Sequence, residues 1–176
     1  MMRKLVFILA VAALFSGCNR GDSEVSFRLK YEQNFSIDSS IGVNFPIDLQ
    51  GPPMPSRSEQ AFQNNNTSAD LITSVTMDYA EIILDSPADA DFSFLESVEI
   101  SIEVDGKDPV VLAFADPVPA ETGNRLVLTT SNKQFEEYIT AQEFVISTRS
   151  VTDEFITEDH DFTFNCEFLV KANVLN

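Results

Sequence analysis

The side chains best placed for chemistry are carboxylates. Asp85, Asp89 and Asp91 fall close together around Ser86-Pro87-Ala88. Calcium takes several oxygen ligands, so this turn is the candidate metal site of the chain. Its spacing is not that of the EF-hand loop, and no central glycine is present. A second acidic cluster is Asp153, Glu154, Glu158, Asp159 and Asp161. His160, the only histidine, lies inside that second cluster. A zinc site needs three or four ligands drawn mainly from Cys and His, which one His and Cys166 cannot supply. A lone histidine in an acidic turn reads as a solvated surface residue. No G-x-S-x-G elbow exists to support a nucleophilic serine. Cys166 alternates with phenylalanines, which marks it as a small buried apolar side chain and not a reactive thiol. Carboxylate pairs of the glycosidase kind are available by number, but the chain has no Trp to stack a sugar ring. Glu99, Glu103 and Asp105 look like the solvent face of a strand. No catalytic residue is assigned, and no cofactor beyond the calcium candidate is implied.

The elements that would position these groups are strands. Val25, Phe27, Leu29 and Tyr31 alternate with polar residues, as do Ile41 to Leu49. Pro46 in the second run cannot donate to a ladder, which predicts an edge strand. Val75, Met77 and Tyr79 alternate, and Ile82 and Leu84 continue on the other parity, so a bulge near Ala80 is expected. Val98 to Val104 and Val110 to Ala115 flank Asp105-Gly106, a strong hairpin signal. Leu126 and Leu128, then Phe144 and Ile146, mark shorter strands. Phe162, Phe164, Cys166, Phe168 and Val170 share one face of the longest strand. Helical signals are few. Ser56-Arg57-Ser58-Glu59 and Ser131-Asn132-Lys133-Gln134 match a capping box, and Phe135, Tyr138 and Ile139 recur at helical spacing. Asp91 is placed to cap one helical turn carrying Phe92 and Leu95. The proline-rich stretch from Gly51 leads into a polar run ending at Ala69, which reads as either a mobile insertion or a functional loop. Two overlapping glycosylation sequons fall in it, at Asn65 and Asn66. The sum is an all-β chain of about eight strands with one or two short helices. It predicts an antiparallel β-sandwich of roughly immunoglobulin-like type with its exact topology open.

Charge narrows the partners. The net charge is −17, of which Arg3 and Lys4 contribute +2, so the chain beyond them carries −19. Such a surface repels phosphate backbones, which excludes nucleic acid, and favours solubility; cationic partners and divalent ions remain compatible.

The start of the chain sets the location. Arg3 and Lys4 precede an apolar run from Leu5 to Phe15, and Ser16-Gly17-Cys18 follows. A charged segment followed by a short apolar one is the layout of a secretory signal. The run is too short for a membrane-spanning helix, which needs about 20 apolar residues. The string Leu14-Phe15-Ser16-Gly17-Cys18 resembles the lipobox of bacterial lipoprotein precursors, with Phe15 where that family usually has Leu. The resemblance covers residues 1–18. It implies cleavage before Cys18 and acylation of its thiol, with diacylglycerol and a further acyl chain such as palmitate. Two chains anchor stably where one binds only marginally. Asn19 in place of an Asp after the cysteine favours the outer membrane, and leaves open whether the protein faces the periplasm or the surface. The other reading of the leader is soluble export after cleavage at Ala10-Val11-Ala12.

These readings divide the chain into a signal peptide (1–17), a lipid-anchored tether (18–23) and one β-sandwich domain (24–176). The expected function is that of a non-enzymatic envelope lipoprotein. It would be a structural or accessory module held to the membrane by its lipid and contacting an envelope protein through a sheet edge or the 51–69 loop. The alternative is a surface ligand-binding or adhesion module, with calcium in the Asp85 to Asp91 turn.

Overall fold

In a computed structural model of the chain, residues 23–39 and 41–175 are described. The ten strands are β1 (Glu24–Ile37), β2 (Pro46–Gln50), β3 (Met54–Pro55), β4 (Ile72–Ser86), β5 (Leu95–Glu103), β6 (Val110–Ala115), β7 (Arg125–Val127), β8 (Thr129–Thr130), β9 (Glu143–Thr152) and β10 (His160–Asn173). Two short helices, α1 (Ser58–Asn64) and α2 (Glu136–Ile139), lie in the connections. The strands form two antiparallel sheets, one in the order β1-β10-β4-β7 and the other β2-β9-β5-β6-β8, with β3 also on β9. The expected all-β antiparallel sandwich is therefore the fold. Its connectivity, which the sequence leaves open, is that of a jelly roll: β1, β2, β4 and β5 alternate between the sheets, as do β6, β7, β9 and β10 after the β5-β6 hairpin, and the last strand inserts between the first and the fourth.

Period-two patterning builds this core. On β10 every second residue, from Phe162 through Phe164, Cys166, Phe168 and Val170 to Ala172, is buried. Leu29 and Met77 flank Phe168 in register on either side. The parity slip in β4 is a bulge at Asp78: Glu167 faces Tyr79 and Phe168 faces Met77, so one β4 residue goes unopposed. It sits two residues before the expected Ala80 and turns Val75, Met77, Ala80, Ile82 and Leu84 all inward. Pro46 starts an edge strand, as its missing donor requires. The Asp105-Gly106 turn joins β5 to β6, with Gly106 at φ 77°, where a side chain would be strained.

Neither predicted capping box forms. Ser56 Oγ lies 3.1 Å from Ser58 Oγ, and α1 has no side-chain cap. Ser131 Oγ donates to the Val111 carbonyl, and Gln134 Oε1 accepts from the Val75 N–H, before α2 starts beyond them. Phe135, Tyr138 and Ile139 are nonetheless buried, as their spacing predicts. The 51–69 stretch is ordered by long-range bonds. Tyr31 Oη donates to the Ser56 carbonyl at 2.5 Å, Thr67 Oγ1 donates to the Asn173 carbonyl at 2.6 Å, and Phe62 packs edge-on against Phe27.

Candidate functional site

Registers sort the connections between the two ends of the sandwich. Glu24 faces Asn173, and the Val174 N–H donates to the Ser23 carbonyl, so both described termini lie at one end. The 51–71, 104–109 and 131–142 connections share that end. The 38–45, 87–94, 116–124 and 153–159 connections occupy the other. Their backbones are bonded together: Ile156 N–H to Ile41 C=O at 3.0 Å, Asp153 N–H to Phe94 C=O at 3.0 Å, and Asn44 N–H to Thr152 C=O at 2.6 Å. Those four connections hold nine Asp and Glu and no Lys or Arg, with four of the nine in 153–159.

The calcium candidate lies at this acidic end, and the fold does not gather its carboxylates. Asp85, next to last in β4, lies on the outer face, where its Oδ2 accepts from Thr163 Oγ1 at 2.6 Å. Asp91 turns back on its own backbone. Its Oδ1 accepts the Ser93 N–H at 2.9 Å and caps the helical turn Phe92–Phe94, as its sequence position predicts. The Ser93 side-chain contact, and after it that backbone bond, hold the Asp91 carboxyl below the usual range. Asp89 is exposed between them. Among the described residues no group of three or more His, Cys, Asp and Glu is arranged to hold a metal ion. Two of the three carboxylates already serve neighbouring donors.

The second acidic cluster works as a structural clasp. Asp159 Oδ1 accepts the Ser39 N–H at 2.7 Å. Asp161 accepts from Ser36 Oγ at 2.5 Å through one oxygen and from Ser86 Oγ at 3.0 Å through the other, tying β10 to β1 and β4. These bonds hold both carboxyls below the ordinary Asp range.

His160 departs from its sequence reading. It is 9% exposed, not solvated, with its ring 4.5 Å from that of Phe94 and Nδ1 2.8 Å from the Glu158 carbonyl. An aromatic from a connection remote in sequence buries it, which local pattern could not reveal. Cys166 is a free, buried thiol, and its burial pushes the thiol pKa far up, the opposite of what a nucleophile needs. Cys18 and its leader lie outside the described residues.

Sequence reading also missed a cleft beside β1. It measures about 420 Å³ and is lined by Leu29 to Glu32 on one side and Met54 to Arg57 on the other. The run Met54-Pro55 gave no hint of it, because the two sides meet only when β3 joins β9.

No family model matches the sequence, and no curated protein matches it. Solved structures do resemble it in shape. The decameric BFDV capsid protein aligns over 86% of this chain and 99% of its own at 8% identity, with a TM-score of 0.42. The 60-mer BFDV capsid protein gives 88%, 97%, 11% and 0.41, and a chain of Cocksfoot mottle virus 99%, 98%, 11% and 0.29. At these scores the fold assignment rests on the strand order of the chain itself.

Proposed function

We propose that the chain is a non-enzymatic lipoprotein of the bacterial cell envelope, a jelly-roll accessory module held at the outer membrane by a lipid on Cys18. The observation that carries this reading is the leader: a cationic start, eleven apolar residues from Leu5 to Phe15, and Ser16-Gly17-Cys18. Its non-enzymatic side is supported by the fate of the reactive side chains. His160 packs on Phe94, Cys166 is sealed among phenylalanines, and the acidic loops spend carboxylates on neighbouring donors. An accessory role needs a protein partner, and the domain offers it a sheet edge.

The test is mass spectrometry of the N-terminal peptide of the full chain expressed in a Gram-negative host, with membrane fractionation. The expected result is a mature chain starting at acylated Cys18, found in the outer-membrane fraction, and a Cys18→Ser variant that leaves it. An unmodified N-terminus after Ala12 would replace this reading with soluble export.

A further inference from the structure

The four edges of the two sheets are not alike. β7 runs three residues, β8 two, and β2 five with Pro46 at its start, while β3 adds a two-residue stub containing Pro55. Each is short or carries a proline, the usual ways of blunting an edge. β1 is different. It runs fourteen residues, contains no proline, and pairs with β10 from Glu24 through Ile37 without a register shift. Its other side has no backbone partner among the described residues. The cleft follows this edge. Leu29 and Tyr31 point toward the core side and Lys30 and Glu32 to the outer face, yet all four line it. Residues of both faces line one cleft only where that cleft runs along the strand's free backbone.

We infer that β1 takes up an extended segment of an envelope protein partner as an added strand. Main-chain ladder bonds would supply affinity, and alternate side chains of the segment would supply specificity. Apolar residues of the segment would face the cleft wall of Leu29, Tyr31 and Met54. On the outer face Lys30 and Glu32 would select opposite charges across the new pair. A second copy of this chain fits poorly. Antiparallel pairing of two β1 strands would place their starts at opposite ends of an edge about 46 Å long. The five residues from Asn19 to Ser23 reach roughly 17 Å, so with β1 standing upright on the bilayer only one of the two lipids could enter it. This exclusion rests on the lipid anchor proposed above.

The test is photo-crosslinking of the full chain in its own membranes, with a photoreactive residue placed in turn at Arg28, Lys30 and Glu32. Glu99 and Arg149, on the outer face of the other sheet, serve as controls. The expected result is adducts at the β1 positions with one stretch of one protein, at crosslinked sites spaced by two residues and in consistent order, and none at the controls. A Lys30→Pro variant that still folds should lose at least tenfold of the adducts made at Arg28 and Glu32. Adducts only to lipid, to a second copy, to scattered surfaces, or at the controls equally would overturn the inference, as would none at all. The mass of the Cys18 peptide is read in the same sample. A lipidated chain without ordered adducts refutes the strand-addition inference alone, and an unlipidated chain refutes the anchor.

Discussion

Replacing Phe168 by Ala tests the account of the core most directly. Phe168 is fully buried at the centre of β10. Its ring lies edge-on to Tyr31 at 5.9 Å and to Phe135 at 5.4 Å, so one side chain joins β1, β10 and the segment leading into α2. Removing a buried Phe costs about 3–5 kcal/mol, from lost transfer and from the cavity left behind. That range already includes its aromatic pairs, worth about 0.5–1.5 kcal/mol each, so the expected cost is its middle, about 4 kcal/mol. A domain of this size loses about 2–4 °C of melting temperature per kcal/mol, so the expected fall is roughly 8–16 °C. Urea unfolding followed by circular dichroism should show the same loss with an unchanged slope. Phe155→Ala is the internal comparison. That residue is 58% exposed, and its loss should stay within about 0.5 kcal/mol. A Phe168→Ala loss below about 1.5 kcal/mol, or one equal to Phe155→Ala, would mean that the bulge at Asp78 does not set the inward face as described.

Other sites give simpler tests. Millimolar calcium should leave the melting temperature unchanged, while Asp91→Ala should cost about 1 kcal/mol through the lost cap, with or without the ion; a calcium-dependent rise abolished by Asp89→Ala would restore a metal site there. Cys166 should resist iodoacetamide at pH 8 in the native protein and react once unfolded, because only the exposed thiol reaches a pKa of about 8.5; rapid native labelling, followed by mass, would contradict its burial. Asp159 and Asp161 are held below their ordinary values in the fold, so their stabilisation is complete above about pH 3.9 and is lost as pH falls through the lowered values. Asp161→Asn should therefore flatten the acid limb of stability measured between neutral and low pH.

Where side chains alternate by burial, the sequence was readable. β10 and β5 have apolar inward faces and polar outward ones, and both were readable as strands. β9 shows the limit. Its inward face passes from Phe144 and Ile146 to Thr148, Ser150 and Thr152, all buried. Thr152 Oγ1 donates to the Gly42 carbonyl, while Thr148 and Ser150 face each other. With no apolar alternation there, only the first half of the strand was legible. The capping boxes failed for a related reason: Ser131 and Gln134 have the right types and spacing, but partners far along the chain use them first. Jelly-roll order was out of reach because it depends on the pairing of β1 with β10, whose complementarity is distributed along fourteen residues of each. The calcium candidate was three correct residue types whose geometry depended on Thr163 and Ser93, neither of which enters a spacing rule.

That same pairing has a consequence for charge. It brings Ser23 and Val174 together at one end, so a lipid on Cys18 would set that end toward the membrane. The three connections there, 51–71, 104–109 and 131–142, hold six acids against three Lys and Arg, while the four at the far end hold nine acids and no such cation. Anionic headgroups repel carboxylates, and the repulsion fades beyond a Debye length of about 8–10 Å. The far end would stand about 46 Å away, well outside that range, where dense negative charge carries little electrostatic penalty from the surface. The milder end would sit where the surface potential is felt. With that anchor, a chain this acidic would lie close to a bilayer because the fold sends its heaviest loop charge outward, and β1 would rise across the height of the domain with no strand paired on its other side among the described residues.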